Sequence, residues 1–151
     1  MKKVKDIIAA KGRPSNTVEP NTLVIDALRR LNDVNLSYLI VMDKDQFKGV
    51  FTERDYTRNV VLKGRSSSDS VVEDIMTTDL PVLHLDDTVE HAMHMMATHG
   101  TRYLLAKDGD QFAGIITIHD LLRQVIASKE EVFDHSLAHR LIDSYEGGKI
   151  Y

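Results

Sequence analysis

Cysteine is absent from the sequence, which removes disulfide scaffolds, thiolate metal centres and cysteine nucleophiles together. Long hydrophobic runs are missing too. No stretch approaches the ~20 apolar residues that cross a bilayer. The opening segment Met1-Lys2-Lys3-Val4-Lys5-Asp6 turns amphipathic at once, without the apolar core of a targeting peptide. A soluble, cytoplasmic protein with no membrane partner is the expectation. Positive charge is scarce: 19 Lys and Arg face 23 Asp and Glu, a net charge of −4, so a wide nucleic-acid footprint is not expected. A phosphate ligand would need arginines gathered locally. What is present suffices for a core, since 42% of the 151 residues are hydrophobic, an ordinary share for a folded domain.

The chain repeats itself. Asp45-Gln46-Phe47-Lys48-Gly49-Val50-Phe51-Thr52-Glu53-Arg54-Asp55 lies over Asp110-Gln111-Phe112-Ala113-Gly114-Ile115-Ile116-Thr117-Ile118-His119-Asp120 at an offset of 65. The same offset places Val24 on Val89, Ala27 on Ala92, Tyr38-Leu39 on Tyr103-Leu104 and Arg58 on Arg123. Upstream, Val4-Lys5-Asp6-Ile7 matches Val72-Glu73-Asp74-Ile75 at an offset of 68, so the first copy holds three extra residues around Lys11 to Ser15.

Each copy of about 60 residues carries the same element signals. Leu23, Ala27, Leu28 and Leu31 share one helical face, as do Val89, Ala92, Met93 and Met96. Thr22 and Asp87 are the expected N-caps, the latter with Glu90 at capping-box spacing. Tyr38 to Met42 and Phe47 to Phe51 flank a polar turn, the signal of a hairpin, repeated at Tyr103 to Ala106 and Phe112 to Ile116. Amphipathic stretches follow at Asp55 to Leu62 and Asp120 to Ile126, and short extended segments at Thr17-Val18 and Val82-Leu83 precede the first helices. The order is β-α-β-β-α with a lead-in helical turn. The expected division is a first repeat at 1–64, a linker at 65–70, a second repeat at 71–128 and a C-terminal helical extension at 129–151.

The two segments Gly49 to Asp55 and Gly114 to Asp120 resemble the Gly-apolar-apolar-Thr/Ser-x-x-Asp signature of CBS (cystathionine β-synthase) domains. The likeness covers about Val4 to Ser128 as a tandem pair, and Thr52 to Tyr56 through Lys63 to Ser67 is similar to small stand-alone bacterial proteins of this type. The resemblance implies an α/β fold of two β-α-β-β-α repeats around a pseudo-two-fold axis, associated as a homodimer. It also implies a regulatory protein, not an enzyme, that binds an adenosine-containing ligand (AMP, ADP, ATP or NAD) in clefts between the copies. The alternatives are an S-adenosyl-ligand binder and a structural dimerisation module with empty clefts.

Residue chemistry agrees with the implied role. Thr52 and Thr117 fall where a strand becomes a helix, where a hydroxyl and first-turn N–H groups suit a phosphate. Asp55 and Asp120 lie one turn on, on the same face, where a carboxylate suits a ribose diol. The competing reading is plain capping by Thr and a first-turn acid favoured by the helix dipole. Backbone groups at Thr17-Val18 and Val82-Leu83 are expected to read adenine, between apolar walls from Tyr38 and Val50 or Tyr103 and Ile115. By the resemblance, Arg102 reaches phosphate; its first-copy counterpart is Ser37, and Arg54 stands against His119, so one site is expected to favour the more highly charged phosphate.

His91, His94 and His99 among Met93, Met95 and Met96 hint at a metal, but three convergent ligands are not evident and no metal site is expected. Phe133, Leu137, Leu141 and Tyr145, ended by Gly147-Gly148, read as an amphipathic helix packed on the parent fold or on a second subunit. With no effector domain in view, the readout is expected to be dimer geometry or a separate effector protein.

Overall fold

A computed structural model describes residues 2–127 together with Leu137, Arg140 and Leu141. The elements run α1 (Val4–Lys11), β1 (Thr17–Val18), α2 (Val24–Val34), β2 (Tyr38–Asp43), β3 (Gln46–Thr52) and α3 (Glu53–Tyr56). A π-helical turn (Thr57–Val61) and a 3-10 turn (Val72–Asp74) come next, then β4 (Val82–His84), α4 (Val89–His99), β5 (Tyr103–Asp108), β6 (Gln111–Thr117) and α5 (Ile118–Ala127). Two compact units result, one of residues 14–79 and one of residues 1–13 with 80 onward, called here the first and second unit.

The first unit holds a three-stranded sheet in the order β1-β2-β3, with β1 parallel and β3 antiparallel to β2. The second holds β4-β5-β6 with the same senses. Registers correspond residue by residue at the 65-residue offset: Tyr38 faces Thr52 as Tyr103 faces Thr117, and Thr17 faces Ile40 as Val82 faces Leu105. Even the slip of one residue recurs, between Val41 and Met42 and between Ala106 and Lys107. The tight turns differ in cost. Gly109 takes φ +61° freely, whereas Lys44 holds φ +55° against its own Cβ.

Sheet faces divide labour. Leu39, Val41 and Phe51 pack on Val24, Ala27 and Leu31 of α2, forming the first core. Leu104, Ala106 and Ile116 pack on Val89, Ala92, Met93 and Met96 of α4, forming the second, to which the helical residues Leu137 and Leu141 add. Side chains alternate along a strand, so Tyr38, Ile40, Val50 and Thr52 share the opposite face, as do Tyr103, Leu105, Ile115 and Thr117.

The lead-in of each repeat packs in the unit that holds the body of the other. Val72 and Ile75, which open the second repeat, are buried in the first core, and Val4 and Ile7 are buried in the second. Backbone bonds fix the arrangement: Val72 N–H to Thr22 O (2.9 Å), Glu73 N–H to Pro20 O (3.0 Å) and Val24 N–H to Ser70 O (2.8 Å). Their counterparts are Val4 N–H to Asp87 O (2.9 Å), Lys5 N–H to Leu85 O (3.0 Å) and Val89 N–H to Lys2 O (3.2 Å).

These bonds correct the expected caps. The N-cap of α2 is Leu23, not Thr22, and the incoming Ser70 and Ser67 carbonyls serve the N–H groups of Val24 and Ile25. The N-cap of α4 is Thr88, whose hydroxyl accepts from His91 N–H at 3.0 Å, while Asp87 instead accepts from His84 N–H at 2.8 Å. The helix expected from Asp55 to Leu62 starts earlier and widens after one turn, with Leu62 N–H reaching Thr57 O at 3.0 Å, whereas α5 runs unbroken. Phe133, Tyr145 and Gly147-Gly148 lie outside the described residues.

The exchange has a measurable sign. Ile75→Ala opens a cavity in the first core, with an expected loss of about 2–5 kcal/mol in urea unfolding. Amide exchange in that variant should accelerate in β2 and β3 more than in β5 and β6. Faster exchange confined to β5 and β6 would contradict the packing.

Candidate functional site

Where β3 ends and α3 begins, the first-turn N–H groups have no helical partner. Thr52 and Asp55 close that gap reciprocally. Thr52 N–H donates to Asp55 Oδ2 (2.9 Å), the Thr52 hydroxyl donates to the same oxygen (3.0 Å), and Asp55 N–H donates back to Thr52 Oγ1 (3.1 Å). The second corner repeats this, with Thr117 N–H to Asp120 Oδ2 at 2.8 Å and Asp120 N–H to Thr117 Oγ1 at 3.2 Å. Thr52, Asp55, Thr117 and Asp120 are all buried. The expected pairing of hydroxyl and acid is therefore present twice, as capping boxes whose first-turn N–H groups of Asp55 and Asp120 are already in use. Ile118 N–H is engaged as well, on Arg102 O at 3.0 Å.

Other expected residues sort by face. Thr17, Ile40 and Val50 form one row across the first sheet, and Val82, Leu105 and Ile115 form one across the second. These rows lie on the same face as the corner threonines and as Tyr38 and Tyr103. Val18 and Leu83 point the other way and pack in the two cores, so only their backbone is available to a ligand on that face. Thr17 and Val82 are exposed on strands that pair on one side only. Tyr38, Val50, Arg102, Tyr103 and Ile115 are buried, Arg54 is half-buried and His119 is exposed.

Two residues outside the sequence-level set complete the corners. Thr77 donates its hydroxyl to Asp55 Oδ1 at 2.7 Å, and Lys11 donates its ammonium to Asp120 Oδ2 at 2.8 Å. Each belongs to an exchanged lead-in laid against a strand of the other repeat, Thr77 beside Val50 of β3 and Lys11 beside Ile115 of β6. Asn59 further pins the lead-in of the first unit through its amide on Ile75 O (3.0 Å). The signal available in the sequence was the lead-in repeat at offset 68, which pairs these segments as equivalents without showing which body each covers.

The glycines of the signature accommodate the same lead-ins. A Cβ on Gly49 would sit 2.6 Å from the backbone oxygen of Thr77, which is itself bridged to Val50. A Cβ on Gly114 would sit 2.7 Å from the terminal methyl of Ile8, which can rotate aside. Gly49→Ala should cost about 1–3 kcal/mol of stability in denaturant unfolding, and Gly114→Ala clearly less. Equal losses would contradict this account.

Burial pushes the Asp55 carboxyl above its ordinary range, against the opposing pull of the Thr77 hydroxyl, the Thr52 N–H and hydroxyl, and the Arg58 charge. An acid raised on folding binds more protons folded than unfolded. Its contribution is present at low pH and is lost as pH rises from the unfolded value, about 4, through the folded one. Asp55→Asn removes that dependence. The stability of the variant relative to the parent should therefore climb as pH rises above about 4; a pH-independent difference in urea unfolding would overturn the assignment.

Among the described residues, no three His, Asp or Glu side chains are grouped to hold a metal ion, and no helix is long and apolar enough to cross a membrane.

The family model for the CBS domain matches the chain twice, at residues 4–62 and 72–127. A mitochondrial CBS domain-containing protein of Arabidopsis thaliana, CBSX3, is 26% identical over 137 residues; these span 85% of the chain and 66% of that relative. A CBS-domain protein from Burkholderia ambifaria MC40-6 has a solved structure 35% identical, with a TM-score of 0.77 over 88% of this chain and all of that one. The solved complex of CBSX2 with AMP superposes with a TM-score of 0.67 at 25% identity, over 86% of this chain and all of that one. With corner, sheet register and signature duplicated at one spacing and matched by the family model in both halves, the chain belongs to the CBS-domain family as a tandem pair.

Proposed function

We propose that this chain is a regulatory module that binds an adenine nucleotide, AMP, ADP, ATP or NAD, at its strand-to-helix corners. The observation that carries the reading is the duplicated corner itself: a buried carboxylate and a hydroxyl one helical turn apart, each at the end of a sheet face rimmed by apolar residues and a one-sided edge strand. Three donors occupy the Asp55 carboxylate, and a carboxylate offers about four lone-pair sites, so Oδ1 retains capacity for a ribose hydroxyl. Adenine would pair with the open edge of β1 near Thr17-Val18 or of β4 near Val82-Leu83. Tyr38 and Val50, or Tyr103 and Ile115, are the apolar walls in this reading. Phosphates would meet Arg54 at one corner and Arg102 with His119 at the other. The AMP carried by CBSX2 supports the ligand class.

Binding alone is not a signal; the ligand must favour one of two arrangements of the protein. Exposed Val61, Leu62 and Ile126 (51%, 73% and 83%) suit a homodimer as the body that changes, read by an effector protein. A second reading, a structural module whose corners serve only as capping boxes, draws on the same internal bonds.

A thermal-shift screen with AMP, ADP, ATP, NAD and S-adenosylmethionine separates the two. A specific ligand at one hundred times its Kd adds about 2.7 kcal/mol. Asp55→Ala and Asp120→Ala should each remove the part of the shift that belongs to its corner. No shift with any of the five sinks the nucleotide reading, and a shift with S-adenosylmethionine alone redirects it.

A further inference from the structure

The two corners share a motif and differ in what balances the acid. At the first, Asp55 Oδ1 accepts the neutral Thr77 hydroxyl, and Val50 O accepts Thr77 N–H at 2.9 Å. At the second, one lysine side chain takes both places: Lys11 Nζ bonds Ile115 O at 2.8 Å and Asp120 Oδ2 at 2.8 Å. Arg123 adds a second cation on Asp120 Oδ1 at 3.2 Å. Lys11 arrives there because Ile8, one turn earlier on α1, fills the notch of Gly114 on β6.

An ammonium is an expensive substitute for a hydroxyl, since it must shed water and order a four-carbon stem. What it supplies is charge. Around the first corner, Glu53, Arg54, Asp55 and Arg58 cancel when Asp55 is ionised. Around the second, Ile118 and His119 stand in the places of Glu53 and Arg54, and Lys11, Arg102 and Arg123 against Asp120 leave a surplus of two positive charges. Arg123 is 71% exposed, so its hold on Asp120 is weak and yields cheaply to a ligand; Lys11, at 29%, is the cation that stays.

We propose that Lys11 is a specificity-determining residue that makes the Asp120 corner select nucleotides by phosphate charge, preferring di- and triphosphates, while the Asp55 corner is indifferent to phosphate number. The proposal rests on the nucleotide reading above and deepens it. With the Asp120 charge held by Lys11, an incoming polyphosphate meets net positive charge beside the carboxylate it would otherwise avoid.

Calorimetric titration with adenosine, AMP and ATP, at low and high salt, tests it in the full chain and in Lys11→Met and Lys11→Arg. In the parent, ATP should outbind adenosine at one corner, with a preference that shrinks in salt. Lys11→Met should reduce that ATP-to-adenosine ratio about tenfold, ~1.4 kcal/mol. Lys11→Arg should restore most of it, and adenosine affinity should change far less than ATP affinity. A ratio unchanged in Lys11→Met overturns the proposal, as does an equal loss for adenosine and ATP, which would make Lys11 a support for Asp120 only. Absence of any nucleotide binding by the parent chain is a different failure, since it removes the nucleotide reading itself and the proposal with it.

Discussion

A helix that starts where a strand stops leaves N–H groups pointing at nothing, and burial makes that vacancy costly. In both units a threonine and an aspartate three residues on answer each other across the gap, and the rest of the arrangement follows. The aspartate must be buried to reach the threonine, so it needs further partners. Those partners come from a lead-in segment laid against the strand, and a glycine in that strand makes the close approach possible. Cap, acid, glycine and lead-in form one connected set of contacts, which is why the signature residues recur together.

From that common frame the two halves have diverged in charge. The first corner satisfies its acid with a hydroxyl and leaves burial dominant, so ionisation is disfavoured there. The second surrounds its acid with cations drawn from α1 and α5. Strand pairing is the same in both, down to the register slip in each hairpin, while the helix after the first corner widens at Thr57–Val61 and α5 runs unbroken.

Much of this was legible in the residues. The continuous apolar runs at Tyr38 to Met42 and Tyr103 to Ala106, each bounded by a polar turn, and the 65-residue echo make the sheets visible, because a central strand buried on both faces is apolar at every position. The pairing of Thr52 with Asp55 is local, and so is visible in spacing. Leu23 as the cap of α2 was not visible, because a leucine has no capping oxygen and the carbonyls that do the work belong to Ser67 and Ser70, more than forty residues on. Lys11 and Thr77 were hidden for the same reason. Their partners are remote in sequence, and the three-residue insertion in the first copy breaks the alignment where they would have matched. The π-helical widening at Thr57–Val61 has no sequence signal that distinguishes it from the straight helix of the second copy.

The exchange of lead-ins also bears on how such a protein can exist at all. One copy of the sixty-residue motif carries an arm that covers nothing of its own and a body with an uncovered seam. Two separate copies could trade arms only by meeting, a balance set by their concentration. Joined through Gly64 to Ser70, each finds the other at a high effective concentration fixed by the tether, and dilution no longer undoes the pairing. Duplication within one gene thus turns a handshake between strangers into a knot tied by a single cord.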